Sequence, residues 1–294
     1  MTSPTQPSRP FSLCLVGAGK AGVAVAAALA GAGNTVVAVT SRSQGSAATA
    51  AQRLESRVAG IAVLPRCDVV LLGVPGGALR AVAEELAPRL HEGTVVWHLS
   101  GAHGLAPLAP ATAAGALGAA VHPVQVFPDA DRGLERLPGS VWGVTCDPTV
   151  RDWAGTVVTE DLRGHALDVE EEHRPVWHAA AVTTANGIAA LLSLGEELLQ
   201  SIAVGDPARV LEPLAAASVA NAARSGAAAS LTGPAARGEW DTVAAHLESL
   251  RSLAPTLVDP YLDATRVIFG GAVRAGRVSP EALRAAAAVL GEVG

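Results

Sequence analysis

The sequence predicts an α/β domain with a doubly wound, mostly parallel sheet, followed by an all-α domain. Three observations carry that prediction. Short apolar runs of β type alternate with Ala-rich helical stretches from residue 11, a glycine-rich turn joins the first run to the first helical stretch, and the β signal stops after about residue 168. At 294 residues the chain has room for two domains. The boundaries read from the sequence are a disordered Pro/Ser/Thr-rich tail over 1–10, the α/β domain over 11–168 and the helical domain over 169–294.

The runs follow in order. Ser12–Val16 and Thr35–Val39 are short and apolar, and between them Lys20–Ala30 is Ala-rich and helical. Ser46–Val58 reads as the next helix, Cys67–Val74 as a buried strand, Ala78–Leu90 as a helix, and Thr94–His98, Ala116–Val121 and Val141–Thr145 as strands. Continuous apolar strands separated by helices argue for a parallel sheet covered on both faces. A last strand, His165–Val169, meets the acidic Glu170-Glu171-Glu172, which suits a helix start. Beyond it Glu170–Ile202, Pro207–Ala223, Glu239–Leu250, Pro255–Gly270 and Ser279–Leu290 all read as helices.

The sharpest local signal is Gly17-Ala18-Gly19-Lys20-Ala21-Gly22, a GxGxxG between the first strand and the first helix. Glycines there permit a tight turn, approach of backbone N–H groups to a pyrophosphate and close helix–strand packing, which is the dinucleotide-binding arrangement. A ribose 2′-hydroxyl is usually gripped by a carboxylate at the end of the second strand. Here that end reads Thr40-Ser41-Arg42, with a guanidinium and hydroxyls suited to a 2′-phosphate, so the sequence favours NADP(H) over NAD(H). Lys20, the only lysine of the chain, can add charge near the phosphates. Val74-Pro75 and Ser100 end the next two strands on the same edge, where ligands bind in open α/β sheets.

Candidate chemistry lies on three further segments. His122 ends a strand, and Pro123 restrains the backbone around it, so an imidazole is held at the crevice rim. On the long helix His178 and Asn186 fall within one arc, as polar positions on an Ala- and Leu-rich face. Either histidine can serve as the proton donor, with Asn186 positioning a carbonyl or hydroxyl. Thr183, Thr232 and Arg237 are read as substrate contacts, Arg237 as a carboxylate clamp shared with Arg174 as the other candidate.

Composition limits the partners. Hydrophobic residues make up 50% and charged residues 16%, which fits a globular protein and not a disordered one. A net charge of −6 and few aromatic residues disfavour a nucleic-acid partner. No apolar run reaches the length of a membrane span or a signal peptide, and Cys14, Cys67 and Cys146 read as buried thiols of a reducing cytoplasm. No spacing of His, Cys and carboxylates suits a metal, and no GxSxG serine elbow is present.

Taken together, GAGKAG at 17–22, LSGAHG at 99–104, HPVQVFP at 122–128, WHAAAVTTANG at 177–187 and LTGPAARGE at 231–239 resemble the Rossmann-like proteins with a DUF2520 C-terminal domain. That family is similar in architecture to the 6-phosphogluconate-dehydrogenase-like group, which includes ketopantoate reductase, pyrroline-5-carboxylate reductase and F420-dependent NADP oxidoreductase. The resemblance implies an NADPH-dependent reductase of a small keto acid, 2-dehydropantoate (ketopantoate) by preference, working as a cytoplasmic homodimer joined through its helical domain. Conventional ketopantoate reductases carry a catalytic lysine on the long helix, whereas this chain has His178 there. The pair His122-Pro123 also resembles the His-Pro of prephenate dehydrogenases, so prephenate-like oxidation and an F420-type reductase are the enzymatic alternatives. A cofactor-binding regulatory protein is the non-enzymatic one.

Overall fold

A computed structural model describes residues 7–290. The chain divides into two compact units, Met1–Val182 and Thr183–Gly294. In the first, β1 (Ser12–Val16), α1 (Lys20–Gly31), β2 (Thr35–Thr40), α2 (Gln44–Arg53), β3 (Arg57–Val58), β4 (Val69–Leu72), α3 (Leu79–Leu86) and β5 (Val95–His98) form the alternating half. It continues through α4 (Ala109–Ala113), β6 (Leu117–Pro123), α5 (Ala130–Arg136), β7 (Val141–Cys146), α6 (Arg151–Thr156) and β8 (His165–Asp168). The eight strands form one sheet in the order β3-β2-β1-β4-β5-β6-β7-β8. All neighbours are parallel except β6 and β7, as expected of a doubly wound, mostly parallel sheet.

Because side chains alternate across a strand, the central strands feed two separate cores. Leu13, Leu15, Val69, Leu71, Val95 and Trp97 pack on one side with Val25 and Leu29 of α1, and with Trp142 and Trp153. Cys14, Val16, Val70, Leu72 and Val96 pack on the other with Leu79, Ala83 and Leu86 of α3. On the first side Trp97 meets Trp142 and Trp153 edge-on, each at a centroid distance of 6.5 Å. The three cysteines are free and buried.

Two expectations change. The helix read over Ser46–Val58 ends at Arg53, because Glu55 takes a left-handed conformation (φ 48°) and turns the chain into β3. With no glycine at that turn, the stop carries no sequence signal. The tail read as 1–10 is anchored at Arg9, whose guanidinium pairs with Glu160 at 2.6 Å and also with Asp161; the part of that reading over residues 1–6 lies outside the described residues. The compact units part at 182/183, inside the long helix, whereas the sequence reading placed the domain boundary at 168/169. The long helix α7 (Arg174–Gln200) begins inside the first unit, tied to the sheet by Arg174.

The second unit is helical, with α8 (Pro207–Ser225), α9 (Ala227–Ser230), α10 (Pro234–Arg237), α11 (Trp240–Leu253), α12 (Val258–Arg274) and α13 (Pro280–Leu290). Trp240, Val243, Leu247, Phe269, Ala286 and Leu290 make its core. Trp240 lies edge-on to Phe269 at 4.8 Å and donates its indole N–H to the Ala282 carbonyl. By contrast α8 has no buried residue, and Val210, Leu214 and Val219 stand 52%, 64% and 49% exposed. Among the described residues no helix is long and apolar enough to cross a membrane.

Candidate functional site

The glycine turn forms one half of the site. Gly17 sits at φ +96°, and a Cβ there would come within 2.7 Å of the Gly73 backbone and of Val74 Cγ1. Gly73 returns the restriction, since its own Cβ would lie 2.5 Å from the Gly17 carbonyl oxygen. Gly22, one turn into α1, would meet the same Gly17 carbonyl and Gly73 Cα at 3.0 Å, so the helix lies directly on the strand ends. Backbone bonds from Gly17 N–H to the Thr40 carbonyl and from Gly73 N–H to the Val16 carbonyl, both 2.8 Å, lock the ends of β1, β2 and β4 together.

The first N–H groups of a helix have no intrahelical partner, and Gly19, the N-cap of α1, offers no side chain to take them up. The turn that leads into them, Gly17, Ala18 and Gly19, lines a cleft of about 530 Å³ together with Thr40, Ser41, Arg42, Ser46, Val74 and Pro75, and with Glu85 of α3. At the end of β2 this lining carries a guanidinium and hydroxyls and no carboxylate. Arg42 is exposed and makes no ion pair among the described residues. The donors and the missing side chains fit a dinucleotide with an anionic group on its ribose. Two expected contacts fall outside the cleft. Lys20 is exposed at the first residue of α1 and does not line it. Ser100 is turned instead to His103, with 2.8 Å between its Oγ and Nδ1, and the pair packs on Gly76.

The other half is built at the ends of β5 and β6. Antiparallel pairing puts His122 opposite Gly143, and a Cβ on Gly143 would lie 2.7 Å from the Trp177 ring. The bare strand position is thus the seat of Trp177, whose indole N–H donates to His122 Nδ1 at 3.1 Å. His122 and His178 meet edge to face at 5.8 Å. Both look down on Gly101 in the loop after β5: a Cβ there would come within 2.6 Å of His178 Nδ1 and 2.8 Å of His122 Nε2. His178 Nδ1 is itself buried with no hydrogen-bond partner. Burial, reinforced by the positive charge of Arg174 and by His178 and His98, lowers the His122 pKa from 6.5 to about 4.

Two neighbours have structural roles. His98 is fully buried, with Nε2 against the Gly104 carbonyl at 2.8 Å and Nδ1 accepting from the Ser100 N–H at 3.1 Å. Desolvation holds its pKa at about 4. Arg174, weighed above as a carboxylate clamp, is also fully buried. It donates to the Ala120 and Gly143 carbonyls and to Thr145 Oγ1, which pins the start of α7 across β6 and β7. Glu171, just before α7, accepts from the Leu105 and Ala106 N–H groups at 2.7 and 3.2 Å and fastens the loop after β5.

The remaining sequence-derived residues belong to the second unit. Thr183, Asn186 and Thr232 are exposed there. Arg237 is already held by Glu239 through two bonds of 2.5 and 2.9 Å, so a substrate carboxylate would have to displace that partner. Trp177, Gly101 and Gly143 were not singled out by the sequence. Trp177 had one available signal, its place immediately before His178; the two glycines had none short of the strand register.

The sequence family described as a Rossmann-like domain matches residues 1–123, and the domain of unknown function DUF2520 matches residues 140–268. No curated protein matches the chain. Among solved structures, a protein of Bacteroides fragilis provisionally assigned as an NADP oxidoreductase has 21% identity and a TM-score of 0.77, over 88% of this chain and 98% of that one. A reductive aminase from Aspergillus terreus, solved with NADPH and ethyl-5-oxohexanoate, has 20% identity and a TM-score of 0.65, over 91% and 95%. A pyrroline-5-carboxylate reductase from Coxiella burnetii has 15% identity and a TM-score of 0.57, over 87% and 97%. At these identities the likeness is one of fold.

Proposed function

We propose that this protein, a Rossmann-like domain joined to a DUF2520 domain, is an NADPH-dependent reductase of a small keto acid, with ketopantoate the first candidate. The observation that carries the reading is the pair of imidazoles, His122 and His178, facing one point above Gly101 in the same unit as the glycine cleft. Bound NADPH supplies the hydride that a carbonyl carbon accepts. The N-terminus of α1 with Gly17 and Gly19 holds the pyrophosphate, and Arg42 with Thr40 and Ser41 holds the 2′-phosphate. His178 delivers the proton that converts the carbonyl oxygen to a hydroxyl, so hydride and proton together give the alcohol. The unpartnered His178 Nδ1 supports that role, since it faces the space above Gly101 with nothing of the protein to bond.

Asn186 and Thr183, on the continuation of the same helix, and Thr232 and Arg237 are assigned to the substrate's polar groups and carboxylate. A homodimer through the helical domain is part of the proposal. The uncovered faces support it: besides those of α8, Leu191 and Ile202 are 51% and 58% exposed. NADPH oxidation measured with ketopantoate, pyrroline-5-carboxylate and other small keto acids tests the reaction. Substrate-dependent turnover is expected. Tight NADPH binding without turnover on any of them would instead favour a cofactor-binding regulatory protein.

A further inference from the structure

An indole N–H can only donate, so the ring nitrogen that receives it must offer a lone pair. Trp177 Nε1 sits 3.1 Å from His122 Nδ1. Nδ1 is therefore the unprotonated nitrogen of His122, and the neutral ring carries its proton on Nε2, the atom turned to the space above Gly101. We propose that Trp177 is a positioning residue that holds His122 as the neutral Nε2–H tautomer, making it a fixed hydrogen-bond donor to an acceptor oxygen above Gly101 and excluding it as the proton source or the base.

The surroundings oppose any other state. To become imidazolium, His122 would need a proton on Nδ1, where the Trp177 N–H already points, and the indole cannot turn to accept it. Gly143 lets the indole into this position, and a Cβ there would lie 2.8 Å from Trp177 Nε1. The titratable and charged groups facing the ring are Arg174 and His178 on α7 and His98 on β5. None is a carboxylate that would stabilise the cation. Burial acts in the same direction.

This assignment rests on the keto-acid reading for the identity of the acceptor, a carbonyl oxygen, and for the division of labour with His178. A donor in place before the reaction stabilises the charge that grows on that oxygen as hydride arrives. It also weighs against a prephenate-type oxidation through His122, which would need a nitrogen free to take a proton from a hydroxyl.

The test begins with the unliganded wild-type chain, ¹⁵N-labelled at histidine, with the His122 signal identified by its loss in His122→Gln. Two-bond and three-bond correlations are expected to show Nε2 protonated and Nδ1 bare from pH 8 down to pH 5, with no titration near 6.5, the ordinary value for the ring. In Trp177→Phe both tautomers should appear and titration should move back toward 6.5. Turnover of that variant, compared with the wild type at the same pH, should be lowered most above this value, where the Nδ1–H tautomer withdraws the donor from the space above Gly101, and the gap should narrow below it, where the imidazolium again carries Nε2–H, at unchanged NADPH affinity. A wild-type His122 that carries its proton on Nδ1, or that titrates near 6.5, overturns the assignment whether or not Trp177→Phe folds. Absence of turnover on every keto acid, with the tautomer as expected, would instead remove the proposed reaction and leave the tautomer assignment standing.

Discussion

The glycine cleft and the histidine pocket occupy the same edge of one sheet, yet they are made of different material. The cleft is backbone: a Cβ added to Gly17, Gly19, Gly22 or Gly73 would meet main-chain atoms of the others, and its expected ligand contacts are N–H groups of a helix end. The pocket is side chain: Gly101 is crowded by the movable ends of two imidazoles and Gly143 by an indole. Crowding by main chain cannot relax without displacing strands, whereas crowding by a ring can relax through its rotamer. A methyl group added to the cleft should therefore cost fold and cofactor together, and one added to the pocket should cost chemistry first.

Gly17→Ala is expected to have the largest effect. It combines a left-handed backbone with contact against the Gly73 main chain, for a loss of about 3 kcal/mol or more and a correspondingly weakened affinity for NADPH, read by thermal melts and titration. Gly101→Ala is the paired control, with a smaller fall in melting temperature and lost turnover. Equal destabilisation by the two substitutions would break the comparison. Next comes His178→Gln, expected to lower kcat by about 10²–10⁴-fold at unchanged melting temperature and cofactor affinity. Full activity in that variant would remove His178 as the proton donor.

The third effect is on stability against pH. His98 is held neutral in the fold, with its pKa lowered from 6.5 to about 4, so the unfolded chain binds its proton first as pH falls. The stability it contributes is complete above 6.5, declines as pH falls toward 4 and is gone below that; a shift of this size corresponds to about 3 kcal/mol. His122 acts in the same direction over the same window. Urea unfolding at pH 7.5 and pH 4.5 reads the loss, and His98→Asn should flatten the slope while lowering stability at neutral pH. The smallest effect is that of Arg42→Ala. It should reduce the preference for NADPH over NADH by about tenfold, the scale of one exposed charge-assisted contact, and equal wild-type affinities for the two cofactors would remove the reason for expecting it.

The same contrast governs what could be read from the sequence. The cleft is legible because its parts are neighbours in the chain: a strand, three glycines at fixed spacing and a helix start suffice to place Gly17, Gly19 and Gly22 on the sheet edge. The strand end bearing Arg42 follows from the next run. His122 was legible through the restraint of Pro123, and His178 through its place on the long helix. Their meeting over Gly101 was not, because it depends on the antiparallel register that sets His122 opposite Gly143 and on Arg174 fixing where α7 begins. Arg174 misled in the opposite sense: an arginine beside a candidate histidine reads as a ligand clamp, and only its burial against strand carbonyls shows otherwise. β3 was hidden for a local reason, Glu55 doing at a positive φ what glycine usually does.

The placement of the tryptophans makes the two units optically distinguishable. Trp97, Trp142 and Trp153 lie close enough edge-on for their ring transitions to couple, so they supply an asymmetric near-ultraviolet circular dichroism that exists only while the first unit's sheet is intact. Trp240 is the single indole of residues 183–294, and its emission follows the second unit's core through its contact with Phe269. Replacing Trp240 by Phe would leave a chain whose remaining indole signals all come from the first unit. Melting that chain beside the wild type, with both signals recorded, resolves whether the helical unit loosens before the sheet or together with it.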